Sequence, residues 1–258
     1  MSAVRLALRQ VRYEHLAFRR NPVSAFFTFA FPLLFLVIFN LLFGGGELAV
    51  PGGTTTVSTF YVPAIAAYSV INACYTALAM SVALSRDRGQ LKRIGGTPLP
   101  KAAYLAGKVG YMTLVALALV IVVVAVGALA YDVEVPVRTL PAFALSLAVG
   151  AAAFSMLALA LTSFIPDADA APAVVNATVL PLLFISDIFV PPDADTPAWL
   201  GTLADAFPLK HLSAALQSAF NPLETGAGLE PRHLLVVAAW GALGAAVALR
   251  RFSWEPRA

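Results

Sequence analysis

A chain of 258 residues that is 60% hydrophobic and only 12% charged does not read as a soluble globular domain. Soluble domains carry about 25% charged residues, and so few charges would leave the apolar surface of a soluble fold uncovered, a difficulty that a lipid solvent removes. The net charge is +3, and its basic residues cluster between apolar runs with no aromatic-interleaved basic face, which excludes a nucleic-acid partner and points to orientation in a membrane.

Residues 1–22 come first. On a helical wheel Val4, Ala7, Leu8, Val11 and Phe18 share one stripe, and Arg5, Arg9, Arg12, Arg19 and Arg20 share the neighbouring one. That pattern predicts an amphipathic helix lying in the membrane interface, with its arginines at the headgroups. Asn21-Pro22 ends it, because proline disfavours helical backbone at the residue before it. The stretch 23–43 has full spanning length, since a crossing needs about 20 residues. It is expected to be a retained first span and not a cleaved leader. Gly44-Gly45-Gly46 breaks it, and the loop to Thr59 holds no Lys or Arg.

A second span is predicted over 60–84, with Ser69 and Asn72 placed for interhelical hydrogen bonds. Cys74 lies within it. A lone cysteine makes no disulfide within the chain and no Cys-based metal site, so it reads as a small buried hydrophobe. Residues 85–108 form a basic loop with Arg86, Arg88, Lys92, Arg93, Lys101 and Lys108 around Asp87, punctuated by Gly95-Gly96, Pro98 and Pro100. Spans three and four follow over 109–130 and 140–165, the fourth with a small-residue face around Gly150. After the turn 166–169, a fifth span is expected over 170–190. The region 191–232 opens with Pro191-Pro192-Asp193 and holds two apolar segments, 199–207 and 211–220, parted by Pro208. Both are too short to cross, and they suit interfacial or re-entrant helices. The sixth span, 234–249, is about 24 Å long at the helical rise and needs local thinning of the bilayer. The fold class is therefore an all-α membrane protein. It has a six-helix domain over 23–250, an interfacial helix before it and a short tail over 251–258.

Charge sets the orientation. The N-terminal segment, the 85–108 loop and the tail (Arg250, Arg251, Arg257) hold most of the Lys and Arg, while the opposite loops hold only Arg138, Lys210 and Arg232. The positive-inside rule then places both termini in the cytoplasm. The turn 166–169 falls on the same face without a cation of its own.

Several chemistries are absent from the sequence. There is no Gly-x-x-x-x-Gly-Lys-Ser/Thr phosphate loop, no His-Glu-x-x-His, no Gly-x-Ser-x-Gly and no Cys-x-x-Cys. His15, His211 and His233 sit far apart at predicted membrane edges and read as solvated or interfacial. No charge falls well inside a span, which argues against a proton-coupled transporter or a voltage sensor. A membrane enzyme acting on lipid-linked substrates would have to draw on Asp187, Asp193, Asp195 and His211. A secondary transporter or channel is the other competing class. The basic loop suits two readings equally: a solvated topology signal, or a docking face stiffened by Pro98 and Pro100.

The run Arg86-Asp87-Arg88-Gly89-Gln90-Leu91-Lys92-Arg93-Ile94, followed by Thr97-Pro98-Leu99 and Tyr104-Leu105-Ala106-Gly107-Lys108, resembles the first cytoplasmic loop of type-2 ABC exporter permeases. Drug-resistance permeases of actinobacteria are the nearest subgroup. Leu180-Pro181-Leu182-Leu183-Phe184-Ile185-Ser186 and Phe207-Pro208-Leu209-Lys210-His211 support the likeness in the same order along the chain. Asp87 stands where the family usually has a glutamate nearby, and Asp187 where a glycine often follows the serine. The resemblance implies a non-enzymatic transmembrane subunit in a bacterial plasma membrane. It would pair with a second copy or a related permease and dock on a separate ATP-binding subunit that holds ATP and Mg. Residues Arg86, Asp87, Arg88, Gly89, Leu91, Lys92, Arg93, Thr97, Pro98 and Leu99 would couple to that subunit. The arginine-bearing N-terminal helix, with Arg5, Arg9, Arg12 and Arg19, would touch it too. Asp187, Pro208 and His211 would lie near the outer gate. The cargo would be a lipophilic drug, lipid or lipid-linked molecule moved outward.

Overall fold

A computed structural model describes residues 3–190 and 197–254. Helix α1 (Ala3–Arg19) is followed by α2 (Pro22–Phe43). Pro22 is the first residue of α2, where its missing N–H has no intrahelical partner to lose. The 44–59 segment, expected as a plain loop, contains an antiparallel hairpin of β1 (Glu47–Val50) and β2 (Gly53–Thr56). Pro51-Gly52 turns it, with Gly52 at φ +99°, and the β-branched Thr54, Thr55 and Thr56 form its second strand.

Thr56 caps the next helix, its Oγ1 accepting from the Thr59 N–H at 3.2 Å. Helix α3 (Val57–Ile71), a π-helical turn (Asn72–Ala77) and α4 (Leu78–Asp87) form one rod. This rod is the centre of the bundle. Nearly every side chain of α3 is buried, as expected of a helix that is apolar all round. Asn72 meets the expectation of an interhelical bond, donating Nδ2 to the Thr28 carbonyl of α2 at 3.3 Å. Ser69 instead bonds back to Ile65 in its own helix. Cys74 is fully buried, as expected.

Helix α5 (Gln90–Gly95), α6 (Lys101–Ala130), α7 (Leu140–Leu161) and α8 (Ala171–Ile185) follow. Then come α9 (Ala198–Ala204), α10 (Pro208–Phe220) and α11 (Pro231–Arg251). Among the described residues, five helices are long and apolar enough to cross a membrane: Ala25–Phe43, Val57–Asp87, Lys101–Ala130, Val137–Leu161 and Pro231–Arg251.

Two length expectations reverse. The last span, expected to be short, is 21 residues long, because Pro231 starts it early and Arg250 and Arg251 sit in its final turn. The fifth, expected over 170–190, is helical for only 15 residues, about 22 Å. After Ile185 the chain leaves the helix, and Asp187 takes a left-handed φ of +54°.

Small residues bring α7 and α11 together. A Cβ added at Gly241 would lie 2.8 Å from Ala153, and one at Gly244 would lie 2.9 Å from the Leu157 backbone nitrogen. In lipid, close backbone approach replaces the hydrophobic effect as the driving force between helices. Gly241→Leu is therefore expected to destabilise the bundle by about 1–3 kcal/mol through overpacking. Thermal unfolding in detergent measures it, with Leu243→Ala as the control, since Leu243 is 55% exposed on the same helix.

Candidate coupling platform and outer cluster

At the end of the bundle that carries α5, the structure separates buttress from surface. Arg86 closes α4 and is 4% exposed. Its Nη1 donates to the Thr162 carbonyl at 2.7 Å, and its Nη2 donates to the carbonyls of Ile165 and Pro166. The last carbonyls of a helix have no intrahelical donor and carry the negative end of the dipole. Arg86 supplies that donor for α7. It thereby ties the second rod to the 166–169 turn, which has no cation of its own. The expectation that Arg86 faces a partner is corrected: its guanidinium points inward.

Gly89, at φ +67°, lets the chain turn from α4 into α5. Leu91 is fully buried and anchors α5 from beneath. Asp87, Arg88, Lys92, Arg93, Thr97 and Pro98 are exposed, and Leu99 is half-buried. A second support comes from the chain's far end. The Trp254 ring lies so close to Gly95 that an added Cβ would sit 2.9 Å from it, and it packs on Tyr104 at 5.1 Å between ring centroids. Phe252 joins this aromatic stack, and its carbonyl lies 3.5 Å from Lys101 Nζ. Sequence reasoning missed Phe252 and Trp254; two aromatics just beyond the last span were the available signal. Arg257 and the rest of 255–258 lie outside the described residues.

Helix α1 packs along α6 through Gln10, Val11, Glu14 and Phe18. At its centre Lys108 Nζ and Glu14 Oε2 are 2.9 Å apart, with side chains 3% and 11% exposed. Gln10 Nε2 donates to the other carboxylate oxygen at 2.7 Å. Gly107 allows the approach, since a Cβ there would lie 2.4 Å from the Gln10 side chain. Two expectations change here. Lys108, read as a loop cation, is a buried member of α6. The apolar stripe of α1 splits, so that Ala7, Val11 and Phe18 face the bundle side while Val4 and Leu8 are exposed. Arg5, Arg9, Arg12 and Arg19 all line the exposed side.

At the other site Asp187 bonds to α10, the helix that Pro208 starts and that carries His211. The Asp187 carbonyl accepts from Gln217 Nε2 at 3.1 Å. His211 Nδ1 lies 2.7 Å from His233 Nδ1, and its Nε2 lies 2.9 Å from the Asp205 carbonyl. A carbonyl only accepts, so His211 carries its proton on Nε2, and His233 donates to it from Nδ1 when both rings are neutral. Histidines far apart in sequence are thus in contact, contrary to expectation. Lys210 pairs with Asp205 at 2.8 Å, which staples α9 to α10. No group of three metal-ligating side chains occurs among the described residues; Asp193 and Asp195 lie outside them. Asp187→Gly is expected to stabilise the chain by about 1 kcal/mol, because a left-handed backbone costs an L-residue that much relative to glycine. Thermal unfolding of that single variant measures it.

A bundle with five helices of membrane-spanning length and apolarity among the described residues defines a multi-pass membrane protein. The chain belongs to the ABC-2 type transporter family, whose sequence profile matches residues 8–221. It is also similar to the daunorubicin resistance ABC transporter permease protein DrrB1 of Streptomyces coeruleorubidus. The two are 27% identical over 218 residues, which cover 83% of this chain and 74% of that protein. As an ABC-2 permease the chain is a transport component and not an enzyme.

Proposed function

We propose that this chain is the permease half of an ATP-driven exporter that passes a lipophilic molecule outward. Two copies, or one copy with a related permease, each dock an ATP-binding subunit that holds ATP and Mg. The observation that carries the reading is the platform itself: the charges of Asp87, Arg88, Lys92 and Arg93 are exposed, while Leu91 and Trp254 hold the helix beneath them rigid. A push on α5 reaches the central rod directly through α4, α7 through Arg86, and α6 through the stiff Pro98–Pro100 exit. For ATP to drive transport, its binding must favour one arrangement of these rods over another.

Six crossings with both termini cytoplasmic fit this role. The fifth is α8 together with 186–190. Helix α10 is re-entrant. Its Leu212 packs on Gly150, well inside α7, while its far end reaches the hairpin, where Asn221 Nδ2 bonds the Pro51 carbonyl at 3.0 Å. Asp187, Pro208 and His211 then sit in the outer half as the gate. A groove of about 460 Å³ lined by Phe154, Leu157, Pro181, Leu182, Phe207 and Trp240 offers an apolar surface to cargo. The relative named for daunorubicin resistance makes a lipophilic drug the first cargo to test.

Co-expression with the ATP-binding subunit tests the reading. The wild-type chain is expected to recover that subunit on affinity purification. Asp87→Lys with Arg93→Glu is expected to cut recovery about tenfold, the effect of roughly 1.4 kcal/mol. A folded chain that recovers no ATPase refutes the proposal.

A further inference from the structure

A cleft of about 630 Å³ opens between α1, the π turn with α4, and α6. One wall is a single helix face formed by Ala77, Met80, Ser81, Leu84, Ser85 and Arg88, residues three and four apart. From Ala77 to Arg88 this face climbs about 16 Å at the helical rise. Its chemistry changes on the way, from apolar at Ala77 and Met80, through Ser85, to the cation of Arg88. Phe18 and Met112 line the cleft as well, and Arg20 and Asn21 border it where α1 turns into α2. Glu14 also borders it, but its carboxylate is engaged by Lys108 and Gln10. Arg20 and Arg88 are both exposed, and among the described residues neither enters an ion pair.

We propose that this cleft binds one anionic phospholipid, with its phosphodiester between Arg20 and Arg88 and an acyl chain laid along Leu84, Met80 and Ala77. Two guanidinium forks match phosphate oxygens in charge and geometry. Basic pockets between spanning helices near the membrane surface take anionic headgroups. The apolar lower wall selects an amphiphile over free phosphate, which would leave that wall bare. The lipid bridges the α1–α2 turn to α4, so it seats α1 beside the platform. This inference needs only that the chain is embedded in a bilayer; it stands or falls apart from the ATP-coupled reading.

Native mass spectrometry of the full chain tests it, in detergent, with phosphatidylglycerol and phosphatidylcholine of the same acyl chains and no ATP-binding subunit present. One phosphatidylglycerol is expected to be retained per chain, in preference to phosphatidylcholine by roughly tenfold or more. Arg20→Gln with Arg88→Gln is expected to abolish that preference, and Arg20→Lys with Arg88→Lys to keep part of it. Arg5→Gln with Arg9→Gln removes the same charge from α1 away from the cleft and is expected to leave retention unchanged. Equal retention of the two lipids overturns the proposal, as does full preference in the Arg20/Arg88 glutamine variant. An equal loss in the Arg5/Arg9 variant, or complete displacement by inorganic phosphate, overturns it too. The first of these would mean diffuse surface charge, and the second a phosphate site without a tail.

Discussion

Glu14→Ala is expected to destabilise the chain by about 3–5 kcal/mol, the cost of stranding a buried charge without its partner. The Lys108 ammonium, held 2.9 Å from Glu14 and almost fully buried, would keep Ser81 Oγ at 3.4 Å and the Tyr104 ring 5.8 Å away, neither of which carries a compensating charge. Removing both charges while keeping the volume behaves differently. Glu14→Met with Lys108→Met is expected to recover most of the loss, because a well-packed apolar replacement of a buried pair is often close to neutral. Thermal and denaturant unfolding in detergent give both values. A single-variant cost below about 1 kcal/mol, the range of exposed pairs, would mean that α1 does not pack on α6.

Arg86→Ala is expected to cost about 3 kcal/mol or more. Charge-assisted hydrogen bonds contribute roughly 1.5–3 kcal/mol each, and this substitution leaves the carbonyls of Thr162, Ile165 and Pro166 without their donor. Arg86→Lys is expected to restore less than half of it, since an ammonium cannot span the same carbonyls. The functional consequence separates docking from transmission. The exposed face of α5 remains intact, so the ATP-binding subunit still co-purifies, but transport is lost because α7 is no longer tied to the rod. Export assays beside affinity recovery distinguish the two. Transport at the wild-type rate would show that Arg86 transmits nothing.

The helices were legible wherever apolar runs were long, since periodicity and length carry that signal without tertiary information. The charged turn from Arg86 to Arg93 was legible as an organised segment. Its inward and outward residues were not, because nothing in a basic run distinguishes the arginine that caps α7 from those that face solvent. Lys108 was misplaced for a related reason: its partner Glu14 lies far away in sequence, on a helix read as membrane-surface. The contact between His211 and His233 depends on how α10 folds back against α11, which sequence separation does not encode. The β1–β2 hairpin hid behind glycines that read only as breakers. The fifth span failed as a full-length helix at Asp187, the one position where the family likeness pointed to glycine, and there the backbone is left-handed.

Thiol labelling at α5 tests the central claim most directly. Cys74 is fully buried and the chain has no other cysteine, so Lys92→Cys adds a single accessible thiol. A membrane-impermeant maleimide is expected to leave it unlabelled in intact cells and to label it in inverted vesicles, with protection when the ATP-binding subunit is co-expressed. Labelling of Lys92→Cys from outside intact cells would contradict the account.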